Sequence, residues 1–432
     1  MPGRSPYDRE ILRLAVPALG ALAAEPLYVL VDTAIVGHLG TTQLGALAIA
    51  ATVLSTAFTV FNFLTYGTTA RVARLHGARR AEEAAQLGAQ AQWLALLIGC
   101  GLLVALAAPA RPLVVLMGGE GEVAAQATTY LRIAALGAPA FMLASAGQGY
   151  LRGVGDLRTP LLILVVAHAA NVALELLFVY GLDWGLPGSA WGTVIAQLGM
   201  GLAFLAVQLR AGWERPRLAQ MRRLMRVGTE IAVRTTALLG SFLVASAVLA
   251  RIGTAPLAAH QIAFQLFVFL ALVLDALAIA AQVMVGRMLG AGDAAGARRA
   301  ALRMIGWAAA LGAVFGAALL VAGDAVPRLF TGDAAVVRQA HEIWWVFALM
   351  MPANGAVFAL DGILIGAGDT RFLMWGMLAA AAVYVPVALV ALWQGWGIRG
   401  VWFGLAALIA VRLATCGARF AGERWALTGA PA

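Results

Sequence analysis

Twelve apolar runs of about 20 residues or more dominate this chain. That is the length an α-helix needs to cross the hydrocarbon core of a bilayer. The first six fall near 11–38, 44–70, 85–108, 122–149, 159–181 and 187–210, and the second six near 223–250, 257–286, 299–322, 335–366, 372–394 and 398–418. Hydrocarbon offers no hydrogen bonds to a backbone, so segments of this length must satisfy themselves as helices. Charged residues make up 12% of the chain, against about a quarter in soluble domains. The polar start MPGRSPYDRE precedes no small-residue cleavage motif, so the first run reads as a retained span. Cys100 and Cys416 both sit in apolar runs, without spacing for a metal or a disulfide framework.

Every one of the 30 basic residues is arginine, and their positions orient the spans. With twelve crossings, one side holds Arg4, Arg9 and Arg13, then Arg71, Arg74, Arg79 and Arg80, then Arg152 and Arg158. The same side holds the linker arginines from Arg210 to Arg226, then Arg287, Arg298, Arg299, Arg303, Arg371, Arg412, Arg419 and Arg424. The opposite side holds Arg111, Arg251, Arg328, Arg338 and Arg399, leaving Arg132 and Arg234 inside spans. The positive-inside rule makes the first side cytoplasmic, with both termini there, as expected of a multi-pass protein of the inner (plasma) membrane. Scattered between apolar runs, these arginines form no stripe for nucleic acid.

The two halves repeat. HLGTTQLGALAIA (38–50) aligns with RIGTAPLAAHQIA (251–263), ARLHGARR (73–80) with GRMLGAGD (286–293), and LRGVGDLRT (151–159) with LIGAGDTRF (364–372), each at a shift of 213. WGLPGSAWG (184–192) aligns with WGIRGVWFG (396–404) at 212. Six spans per repeat send both halves into the membrane in the same direction, related by a pseudo-two-fold axis along its normal. The expected organisation is an all-α membrane protein with an N-terminal lobe (1–211), a cytoplasmic linker (212–222) and a C-terminal lobe (223–432). That layout is transporter-like.

Polar side chains inside spans should face the protein interior or a wet cavity. Glu25, Tyr28 and Asp32 are spaced i, i+3, i+7 on the first span, and His168, Asn171 and Glu175 repeat that spacing on the fifth. Each trio shares a helix face. Counted from the outer ends, Asp32, Glu175, Thr193 and Tyr130 all lie roughly 9–12 Å deep. Two carboxylates, the Asn171 amide and the Thr193 hydroxyl at one level form an all-oxygen set for Na⁺ or protons. Carboxylates paired in low dielectric also favour sharing a proton. The alternative is interhelical hydrogen-bond glue, which suits Asn171 or Thr193 alone better than two carboxylates. At the repeat shift Asp32 maps to Ala245, Asn171 to Tyr384, Glu175 to Ala388 and Thr193 to Leu405. The set therefore belongs to the first lobe, and the fold does not require it.

Other polar positions rank lower. Glu25, beside Pro26, reads as a relay or cavity residue, and Asn62 and Gln148 as cavity liners. Asp275 either lines the cavity or caps a broken helix. Glu230 and Arg234, at i, i+4, can pair within their helix. Glu342 and Asp361, nearer helix ends, read as solvated.

PLYVLVDTAIVGHLG in the first span, GTTARVARLHGA after the second and LAAHQIAFQLFVFLALVLDALAIAAQ in the eighth carry a family resemblance. Over about residues 10–420 the chain resembles the multidrug and toxic compound extrusion (MATE) family, and within it the DinF-like branch. The resemblance implies the MATE-like fold and an exporter driven by H⁺ or Na⁺ through alternating access. It implies small organic substrates, the lipid bilayer as surroundings, no other cofactor and action as a monomer. It also puts the cation-responsive carboxylate at Asp32, its partners at Asn171, Glu175 and Thr193, and a helix bend at Pro17. The second acid is commonly Asp in the family, and here it is Glu175. A lipid-linked saccharide flippase of the same superfamily is the alternative. It would be expected to carry a strongly cationic cavity, for which Arg132 and Arg234 are the candidates. An enzyme is not expected, since the chain has no HExxH and its five histidines are scattered.

Overall fold

The computed structural model describes residues 5–323 and 325–429; Arg4 lies outside them. Among the described residues the regular structure is helical, with no β-strand. The spans are α1 (Pro6–Gly37), α2 (Thr41–Val60 and Phe63–Gly77), α3 (Ala81–Ala107), α4 (Gly121–Ala135 and Ala138–Gly153), α5 (Arg158–Leu176, ending in a π-turn at Leu177–Gly181) and α6 (Gly185–Ala211). The second set is α7 (Leu218–Ile252), α8 (Thr254–Gly290), α9 (Ala294–Ala322), α10 (Ala334–Gly366), α11 (Thr370–Trp393) and α12 (Gly397–Ala421). Eleven of these are long and apolar enough to cross a membrane, and twelve if the two pieces of α4, bent by 49°, count as one span. Hydropathy alone showed neither that bend nor the break in α2 at residues 61–62. Composition stays apolar through both.

The repeat is visible in where helices begin. α8, α9 and α10 start 213 residues after α2, α3 and α4, and α11 and α12 start 212 after α5 and α6. A left-handed backbone position recurs with it: Arg79 (φ 59°) stands where the second copy has Gly292 (φ 85°). For a residue with a Cβ this conformation costs about 1–2 kcal/mol.

The helices fall into two compact units. One is Gly20–Gly228; the other joins the described residues up to Leu19 to those from Thr229 onward. The division passes through α1, so residues 5–19 group with the described residues from Thr229 onward and not with the rest of the first six spans.

Within each unit one helix is the hub, and close backbone approach makes it so. In Gly20–Gly228 the second piece of α4 packs on α2, α3 and α6; in the other unit α10 packs on α8, α9 and α12. A Cβ on Gly149 would sit 2.8 Å from the Thr65 carbonyl oxygen, and one on Gly153 3.0 Å from that of Thr69. At the repeat-equivalent places, a Cβ on Gly362 would lie 2.1 Å from the Ala278 oxygen, and one on Gly366 2.4 Å from that of Gln282. Each pair is a G-x-x-x-G motif, the small-residue device that lets membrane helices touch at the backbone.

The unit containing α7–α12 also carries the ion pairs that correct the sequence reading. Asp361 is 5% exposed, not solvated, and it accepts from both Arg234 on α7 and Arg412 on α12. Arg234 therefore spends a hydrogen bond on Asp361, beyond its own helix, and Glu230 accepts from Thr370 Oγ1 at 2.5 Å. Arg412, counted on the cytoplasmic side, is buried within α12, and Arg74 and Arg152, counted on the same side, are buried in helices of the other unit. Hydropathy sees one charge at a time and cannot see that α10 supplies the carboxylate for charges on α7 and α12. At its start α1 is held by Asp8, bonded twice to Arg303 (2.8 Å each), and by Glu10 with Arg287.

Two measurements check this packing. Gly362→Ala should lower the thermal unfolding midpoint in detergent, with a cost of about 1–3 kcal/mol for overpacking. Gly240→Ala on α7, where a Cβ meets nothing within 4 Å, should leave it unchanged. Replacing Arg412 by Leu should destabilise by about 3–5 kcal/mol less whatever Arg234 recovers, because a buried carboxylate loses a partner.

Candidate functional site

α5 and α6 come unusually close where the polar residues gather. A Cβ on Gly192 would lie 3.1 Å from Glu175 Cγ and 3.2 Å from its backbone nitrogen, and one on Gly188 would lie 2.9 Å from the Phe178 carbonyl carbon. These two glycines, four apart, face α5; beside them Thr193 turns its hydroxyl to Glu175 on α5, and Ser189 turns its own to Asp32 on α1. The π-turn begins two residues after Glu175; such irregularities recur at functional sites. Tyr180 in that turn donates to the Ile35 carbonyl at 2.6 Å, tying it to α1.

The network runs through α1, α5 and α6. Ser189 Oγ donates to Asp32 Oδ1 at 2.9 Å, and Thr193 Oγ1 donates to Glu175 Oε1 at 3.3 Å. Tyr28 OH lies 3.0 Å from Thr193 Oγ1. Since Thr193 has one proton and gives it to Glu175, Tyr28 is the donor in that contact. The neighbours fix the Asn171 amide with Nδ2 donating to Glu175 Oε1 (2.8 Å) and Oδ1 accepting from the Thr193 backbone N–H (3.0 Å). Tyr130 on α4 and the Asp32 and Glu175 carboxyl groups lie close enough to act on one another electrostatically. Glu175 is 0% exposed and Asp32 6%, with Asn171, Ser189, Thr193 and Tyr130 also buried.

One atom stands out. Glu175 Oε2 is buried and no group among the described residues donates to it. Glu175 Oε1 takes its donors from Asn171 and Thr193, while its other oxygen shares a buried site with a second carboxyl group. Two carboxyl groups can bond to one another only if one carries a proton, and two carboxylates held close repel unless a cation stands between them. The donors are all hard oxygens, two carboxyls plus an amide and hydroxyls, which suits H⁺ or Na⁺ and not a soft metal. No group of three or more His, Cys, Asp or Glu with metal-binding geometry occurs among the described residues.

The structure thus brings together Asp32, Asn171, Glu175, Thr193, Tyr28 and Tyr130. His168 stacks on Tyr28, with ring centroids 4.8 Å apart at 15°. Glu25 and Asn62 are exposed and stand outside the network. Gln148 instead accepts from Arg152 at 3.0 Å. Asp275, half-buried on α8, and Pro17, inside an unbroken α1, belong to the other unit. Sequence reasoning missed Ser189. Its signal was present: it lies four residues before Thr193, hence on the same face of α6.

Known proteins share this architecture. The MatE family profile matches residues 17–177 and 231–390. DNA damage-inducible protein F of Escherichia coli is 31% identical over 94% of this chain and 90% of its own length. The probable multidrug resistance protein NorM of Bradyrhizobium diazoefficiens is 32% identical over 91% and 89%. Among solved structures, a MATE protein crystallised in a bent conformation superposes with a TM-score of 0.88 at 21% identity over 97% of this chain and 95% of its own. A MOP superfamily transporter from Pyrococcus furiosus gives 0.86 at 20% identity over 98% and 97%. With twofold helical repeats, a buried carboxylate pair in the first, and a family profile spanning both, this chain belongs to the MatE family of multidrug efflux transporters.

Proposed function

We propose that this transporter exports amphipathic, often cationic, organic compounds in exchange for H⁺ or Na⁺, and that the exchange runs through Asp32 and Glu175. The donorless oxygen of Glu175 beside Asp32 supports the reading most directly. A cation entering there neutralises the pair and lets α1 and α5 close on each other; its departure restores repulsion between two carboxylates. Tyr28 and Thr193 relay that change, because the hydroxyl that serves Glu175 is itself held by a tyrosine of α1. Pro17 and Pro26 each remove a backbone hydrogen bond from α1, which gives the helix carrying Asp32 a place to bend.

The cation's release inside and capture outside would alternate with substrate movement the other way, in a single chain acting as a monomer. The arginine distribution supports a cytoplasmic location for both termini, and the bacterial relatives suit an inner membrane. Arg234, one of two arginines that a flippase reading would use, has its charge taken up by Asp361, which favours the exporter.

Asp32→Asn should abolish substrate efflux from cells while membrane expression stays normal; unchanged efflux would sink the proposal. Ser189→Ala, which removes one hydrogen bond to a carboxylate worth about 1.5–3 kcal/mol, should shift the cation concentration that half-saturates transport by about tenfold or more while membrane expression stays normal. In proteoliposomes, imposed ΔpH and ΔNa⁺ separate the two coupling ions. Glu175→Asp retracts one carboxylate by a methylene, so it should impair Na⁺-driven transport more than proton-driven transport.

A further inference from the structure

The unit formed by α7–α12 repeats the frame of the carboxylate site and fills it differently. Ala245, Tyr384, Ala388 and Leu405, the positions equivalent to Asp32, Asn171, Glu175 and Thr193, all belong to one buried apolar core. Beside that core lies a recess lined by Phe242, His260, Phe264, Phe267, Trp402 and Leu405, among others. It spans about 340 Å³ of empty space, part of it open to the outside. Its clear interior is close to the size of one water, so a larger guest enters by turning rings aside.

The walls are aromatic but carry unused polar atoms. His260 is 0% exposed, and neither ring nitrogen has a hydrogen-bond partner among the described residues. Nε1 of Trp402, 2% exposed, also lacks one. The His260 ring lies 5.8 Å from the rings of both Phe264 and Trp402. Buried polar groups are almost always satisfied, and leaving one unpaired is costly. Here one N–H donor from Trp402 and a donor–acceptor pair from His260 share a single apolar wall. His260, Phe264 and Phe267 recur at i, i+4, i+7, so all three fall on the recess face of α8.

We infer that this recess is a binding site for a planar aromatic group carrying a hydrogen-bond acceptor or donor at its edge, the aromatic part of the exported compound. The inference rests on the exporter reading for its substrate but not for its geometry. The two repeats then divide the work: the first binds the cation through oxygens, and the second binds the organic guest through rings. Aromatic rings fit flat guests of many outlines, since every such guest has a π-face, while His260 and Trp402 reward those with polar edges.

The test uses the full chain in proteoliposomes with ethidium, a planar aromatic cation, as the probe. Photolabelling with its azide derivative should mark α8 and α12 at residues 260–267 and 402–409, and excess ethidium should compete the label away. His260→Leu should weaken ethidium binding about three- to tenfold, the range of one lost ring or hydrogen-bond contact, whereas His260→Gln should hold within about twofold. Label confined to residues 20–228, label in the recess that ethidium does not compete, or equal affinity in His260→Leu would each overturn the inference. Should His260→Leu not fold, the wild-type labelling map decides alone. Gradient-driven ethidium transport by the wild type is scored separately. Its absence with a competed label in the recess would sink the exporter and spare the site; its presence without that label would do the reverse.

Discussion

A bilayer solvates neither a backbone carbonyl nor a carboxylate, and both facts shape this molecule. The first forces helices, and with no hydrophobic drive between them inside lipid, they must hold together by touching closely. The glycines at 149 and 153, and again at 362 and 366, supply that contact, each aimed at a carbonyl of the neighbouring hub partner. The second fact means that any charge left inside is there for a reason. Among such charges are Asp32 and Glu175 in the first repeat, and Asp361, Arg234 and Arg412 in the second.

These two clusters solve the same problem in opposite ways. Asp361 has its compensation built in, from permanently charged guanidinium groups on two other helices. Such a cluster is fixed and needs nothing from outside. Asp32 and Glu175 have hydroxyls, an amide and each other, but no ion pair with an arginine or histidine among the described residues. In the exchange proposed above, H⁺ or Na⁺ joins that site and completes it. On that proposal, Asp361 anchors a structural ion cluster, whereas the Asp32–Glu175 pair couples.

Much of this was legible in the sequence, for physical reasons. Span length follows from bilayer thickness, so the twelve segments were readable to within a few residues. The repeat was readable because the turns preserve glycines such as Gly155 and Gly368. Asp32, Asn171, Glu175 and Thr193 were linked by depth and helical spacing, which depend only on residue number along a helix. What stayed hidden depends on three-dimensional pairing. Asp361 near a helix end resembles a solvated residue until Arg412 is found beside it. Ser189 went unremarked because its role appears only where α6 meets α1 and its hydroxyl reaches Asp32. The bend in α4 at residues 136–137 leaves no mark on hydropathy.

Cation binding by the purified protein tests the central claim most directly. Adding substrate to wild-type protein in weakly buffered detergent solution should release one bound H⁺ or Na⁺ per molecule, read by a pH or sodium electrode. Glu175→Gln, with the pair reduced to a single carboxyl, should release none. Full cation release by that variant would contradict the account.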